Sequence, residues 1–118
     1  MNKKDLIILK KLESLLKKSK DNHNKYLQEE SKFLYAKKIR NSNQNILKFI
    51  ENKFLLFPAA INQELLDLKT HLIEWSERWD AHKLLIKPSD NDIFIFKGYK
   101  TYPRSLDSCL YELIKKQL

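Results

Sequence analysis

The stretch "ELLDLKTHLIEWSERWDAHKLLIKP", residues 64–88, decides how the chain folds. Beginning just upstream at Ile61, the series Ile61, Leu65, Leu68, Leu72, Trp75, Trp79, His82 and Ile86 advances by alternating steps of four and three without a miss. That period places all eight side chains on one stripe of a helix, the pattern of a seam packed against another helix. Two indoles one turn apart are large apolar anchors for such a seam. Pro88 and the polar "SDND" after it stop the helix.

Upstream, "FLLFP" ends at Pro58. Proline disfavours helix in the residue before it and suits the first turn of a following helix, so a tight corner is expected at Phe57 and Pro58. Before that corner, residues 2–19 set Leu9, Leu12 and Leu16 on one stripe, with Leu6, Ile8 and Leu15 beside it and lysines opposite. This is an amphipathic helix. The segment "KKSKDNHNK", residues 17–25, has no apolar side chain, and its Asp and Asn favour a break between Asp21 and Asn24. A second helical pattern runs from about Lys25 to Leu56 and is interrupted by the polar "KKIRNSNQN", where a local irregularity is expected.

Downstream, "DIFIFKGYKTYP" alternates Ile and Phe before Lys97–Gly98 and the pair Tyr99 and Tyr102. It suggests a short aromatic β-hairpin or extended segment laid on the helices, since an isolated hairpin is marginal. After Pro103, Ser105 is a candidate N-cap, and Leu106, Cys109, Leu110, Leu113 and Ile114 form the apolar face of a short closing helix. The expected fold is therefore mainly α: a small antiparallel bundle of two to three long helices, a short hairpin and a C-terminal helix. As one domain over 1–118, it divides into a basic helical part (1–57), the Trp-bearing helix (58–88), and the hairpin with the closing helix (89–118).

Composition narrows the functions. The 118 residues suit one modest core, and 42% hydrophobic residues are enough to offset chain entropy despite 32% charged ones. The chain has one glycine, Gly98, which leaves no room for a phosphate-cradling loop or a dinucleotide fingerprint. The single Cys109 forms no internal disulfide, and no cleavable leader pattern opens the sequence, so a cytoplasmic setting is expected. The longest apolar run, "FLLFPAAI", falls far short of the roughly 20 residues that span a bilayer.

Catalytic and metal motifs are weak. His71 and Glu74 stand three apart, but His82 lies eleven residues beyond His71, about 16 Å along the axis, so the two histidines do not share one ion. Asp67–His71 and Glu74–Arg78 read as ordinary i, i+4 pairs. Cys109 sits on an apolar face without a sequence-adjacent histidine, no serine lies in a glycine-flanked elbow, and Glu29 with Glu30 occupies a polar face. No enzyme, no metal and no cofactor is expected.

Binding remains. Net charge is +8, and residues 1–53 hold 14 Lys/Arg against 6 Asp/Glu, whereas 54–118 hold 9 against 9. Such asymmetry can mark an electrostatic surface, although 20 lysines against 3 arginines also fits A/T-rich codon usage at solvated positions. The expected function is a non-enzymatic protein–protein interaction module, a small accessory subunit of a larger bacterial assembly. It would bind another protein or itself through Trp75, Trp79, Tyr99 and Tyr102, residue types that anchor interfaces. The alternative is sequence-nonspecific nucleic-acid binding. Lys10, Lys11, Lys17, Lys18, Lys20 and Lys25 would meet phosphates, with Lys97, Lys100 and Arg104 beside the stackable Tyr99 and Tyr102.

Overall fold

A computed structural model describes residues 3–94 and 104–116. Helix α1 spans Lys3–Gln28, α2 Phe33–Lys53, α3 Asn62–Ile86 and α4 Arg104–Lys115, with short 3-10 turns at Phe54–Leu56 and Ala59–Ile61. The bundle is elongated, 47 × 24 × 21 Å. Helices of 21 to 26 residues, about 32 to 39 Å long, account for the long dimension. α1 packs along α2, α2 along α3, and α4 closes the side between α1 and the start of α3.

The apolar seam behaves as its spacing requires over most of its length. Ile61, Leu65, Leu68, Leu72 and Trp79 are buried, and Trp75 and His82 are half-buried. Ile86, at the end, is exposed. Leu9, Leu12 and Leu16 of α1 and Leu106, Leu110, Leu113 and Ile114 of α4 complete one core with Ile46 and Ile50 of α2. A second, aromatic core fills the far end with Tyr26, Phe33, Ala36, Ile39, Trp79 and Phe94.

The first corner differs from expectation. The chain does not break at Asp21–Asn24; α1 continues to Gln28 and reverses over 29–31. Ser31 N–H donates to the Tyr26 carbonyl at 2.9 Å, and Glu30 and Ser31 take φ of 61° and 56°. A left-handed residue closed by an i to i−5 hydrogen bond is the Schellman ending of a helix, which usually places glycine at its left-handed position. Glu30 occupies that position here. Asn22, which suggested the break, instead turns its amide onto the Ser42 hydroxyl and the Lys38 carbonyl of α2.

The polar stretch 37–45 is likewise no irregularity. α2 is helical throughout, and its polar residues pair with neighbouring helices: Ser19 hydroxyl donates to Asn43 Oδ1 at 3.1 Å, and Gln44 Nε2 donates to the Ser76 hydroxyl at 2.8 Å. Ser42 and Asn43 are buried, forming a polar layer between the two apolar cores. Unsatisfied, these groups would be costly; paired, they fix how the helices slide past one another.

The expected hairpin is not seen. Among the described residues there is no strand, only an isolated antiparallel bridge between Lys32 and Ile93, and 95–103 lies outside the described residues. What 89–94 does is cap α2. Lys32 supplies no side-chain cap, and the orphan amides of Phe33 and Leu34 donate to the Asp92 and Asp90 carbonyls at 2.8 and 3.0 Å. Phe94 N–H then donates to the Ser31 carbonyl, and the Tyr26 hydroxyl donates to the Phe94 carbonyl. α4 begins at Arg104, so Ser105 lies within its first turn rather than before it.

Candidate interaction surfaces

The seam's period carries both tryptophans inward to different depths. Trp79 is only 2% exposed, with ring centroids 5.7 Å from Phe33, 5.6 Å from Phe94 and 6.4 Å from Trp75. Cations cover this aromatic core: the Arg40 guanidinium stands 5.1 Å and the Lys83 ammonium 5.2 Å from the Trp79 ring centre. Arg40 Nε lies 3.4 Å from an Asp80 carboxylate oxygen, an ion pair without hydrogen-bond geometry. Trp79 is thus enclosed by its own chain, whereas half-buried Trp75 reaches a groove.

That groove, of about 450 Å³, has Leu16, Ser19, Lys20 and His23 of α1 on one side and Leu68, His71 and Trp75 of α3 on the other, above Ile39, Asn43 and Ile46 of α2. Its floor is largely apolar and its edge polar, the usual character of a binding cleft. His23 and His71 line the same groove, although they are far apart in sequence. Among the described residues no group of three or more His, Cys, Asp or Glu side chains converges as a metal site.

The lysines divide by what they touch. Lys10, Lys11, Lys17 and Lys18 are exposed along α1. Lys20 forms an ion pair with Asp107 of α4, and Lys25 pairs with Glu29 at 3.2 Å and lies near the Tyr35 ring. Arg104 is the first residue of α4. Lys97, Tyr99, Lys100 and Tyr102 lie outside the described residues.

Cys109 is half-buried, its Sγ 3.7 Å from the Ala60 carbonyl oxygen. Burial chiefly, and the Glu64 carboxylate next, push its thiol above the ordinary range, with Lys116 opposing. A raised thiol is a poor nucleophile at neutral pH.

Two aliphatic surfaces were not anticipated from the sequence. At the end carrying the aromatic core, Leu84 and Leu85 are 75% and 83% exposed, beside exposed Ile86 and, on the capping segment, Ile93. At the opposite end, Ile7, Leu55 and Leu56 are exposed. The doubled leucines were the available signal, because two adjacent positions on a helix do not both fit one narrow buried stripe. No helix among the described residues is long and apolar enough to cross a membrane. Comparison of the chain with protein families, with curated proteins and with solved structures finds no match.

Proposed function

We propose that the chain is a non-catalytic helical interaction module that binds another protein, or a second copy of itself, as an accessory subunit of a larger bacterial assembly. The observation that carries this reading is the run of bulky aliphatics left in solvent where α3 ends: Leu84, Leu85 and Ile86, with Ile93 at the same end. Several bulky aliphatics left in solvent at one end of a small protein are characteristic of an interface. Trp75, on the groove between α1 and α3, offers an aromatic anchor. Tyr99 and Tyr102 remain part of the proposal on residue type alone.

Light scattering of the full chain, with affinity capture by wild type and by a Leu84→Ser, Leu85→Ser variant, tests the reading. The expected result is an oligomer or a retained partner that the double substitution removes. A strict monomer retaining no partner overturns it.

A second reading, nonspecific nucleic-acid binding, draws on the exposure of Lys10, Lys11, Lys17 and Lys18 along one helix. Four phosphate contacts would give a slope of log affinity against log salt of about −3.6 on duplex DNA and about −2.8 on single strands. Absence of binding to mixed oligonucleotides at low salt removes this reading.

A further inference from the structure

Where α1 begins and α2 ends, Ile7, Leu55 and Leu56 border one shallow depression of about 470 Å³ together with Lys4, Lys11 and Lys53. Leu55 is 94% and Ile7 67% exposed. Such exposure is unusual for aliphatic residues so close together, and the lysines around them are equally specific in position. On α1, Ile7 stands one turn from Lys3, Lys4, Lys10 and Lys11, at three or four residues in each direction, so it lies within the lysine face rather than on the buried stripe of Leu9, Leu12 and Leu16. On the other side, Lys53 immediately precedes the 3-10 turn Phe54–Leu56 that carries both leucines. Asp5 is the carboxylate on this lining.

We propose that this end of the molecule docks on the surface of a bilayer rich in anionic lipids, with Ile7, Leu55 and Leu56 inserted among the acyl chains and Lys4, Lys11 and Lys53 against the headgroup phosphates. Aliphatic residues ringed by lysines match the layering of a membrane interface, where apolar tips enter hydrocarbon while ammonium groups stay at the headgroups. The excess of positive charge in residues 1–53 supplies the long-range attraction. The turn enters with its own hydrogen bond made, Phe57 N–H donating to the Phe54 carbonyl at 3.2 Å. An acidic amphipathic helix is the competing occupant. It would lay its apolar face into this depression, whereas the near-complete exposure of Leu55 on its 3-10 turn suits a side chain that inserts beyond the protein surface. This surface lies at the opposite end from Leu84 and Leu85, so it succeeds or fails independently of the proposed protein interface.

Flotation of the full chain with vesicles of phosphatidylglycerol and phosphatidylcholine, against pure phosphatidylcholine, tests the proposal. Binding is expected to the anionic vesicles alone and to weaken with salt. Leu55→Ser with Leu56→Ser should reduce it at least tenfold, and each of Lys4→Gln, Lys11→Gln and Lys53→Gln about fivefold. Leu66→Ser, at an exposed leucine of α3 outside this depression, should leave it unchanged, and circular dichroism should show every variant folded, since these side chains lie at the surface. The proposal is overturned by no binding to anionic vesicles at low salt, or by binding that ignores the Leu55 and Leu56 substitutions. Capture of an acidic amphipathic peptide without vesicle binding overturns it as well, and identifies a protein occupant.

Discussion

Glu30 holds the left-handed position of the Schellman ending of α1 and places a carboxylate beside the negative end of that helix dipole. A side chain in this conformation costs about 1–2 kcal/mol, and glycine removes the penalty. Glu30→Gly is therefore expected to raise unfolding free energy by about 1 kcal/mol, read as a higher denaturant midpoint at unchanged slope; an unchanged or lower midpoint contradicts this account of the corner. Trp79→Ala should act in the opposite sense, losing about 3–5 kcal/mol as the centre of the aromatic core is emptied. Since small domains hold only about 5–15 kcal/mol in total, this removes a large share of the stability, read as a much lower denaturant midpoint. At Cys109 the prediction concerns pH. Its thiol is raised in the folded chain, so the folded form is favoured below the ordinary thiol range, and that contribution is lost as pH rises through the range and the unfolded chain ionises first. Alkylation at pH 8 should accordingly be slower in the native than in the denatured protein, and equal rates would show that neither burial nor Glu64 protects the sulfur.

Among the elements, α2 depends most on its neighbours. Its first amides are capped by carbonyls of Asp90 and Asp92, and its polar middle is satisfied by Ser19 and Asn22 of α1 and Ser76 of α3. Asn43→Ala should destabilise by about 1 kcal/mol through the loss of the Ser19 bond. Pairing Asn43→Leu with Ser19→Ala should restore stability while broadening the NMR resonances of the middle turns, because an apolar layer permits more than one register. Sharp resonances in the double variant would mean that the polar layer does not set the register. This layer also marks where sequence reasoning stops. The seam of α3, the stripe of α1 and the face of α4 are visible because burial repeats at helical period. Asn22, Ser42 and Asn43 look like loop residues because their partners lie 16 to 24 positions away in sequence. The reversal at 29–31 was hidden for a related reason: its left-handed position holds Glu30, and no local residue type announces it. The groove joining His23, His71 and Trp75 exists only once three helices are placed side by side.

For the molecule as a whole, the arrangement of cores makes a claim about cooperativity. The aliphatic core at one end and the aromatic core at the other share no buried residue, and a polar layer separates them. Yet α1, α2 and α3 each contribute to both: Leu12 and Tyr26 lie on α1, Ile50 and Phe33 on α2, Leu68 and Trp79 on α3. Continuous helices transmit the loss of one core to the other, because a helix whose half has lost its packing retains little stability of its own. The two tryptophans both sit at the aromatic end, so fluorescence reports that end while far-ultraviolet circular dichroism reports every helix. Urea unfolding followed by the two signals should give coincident transitions. Leu12→Ala, in the aliphatic core, should shift both midpoints together by the equivalent of about 2–5 kcal/mol. If the substitution moves the dichroism transition and leaves the tryptophan transition in place, the polar layer divides the bundle into two units that unfold separately, and the end bearing Leu84 and Leu85 could then remain folded while the lysine-rich end opens.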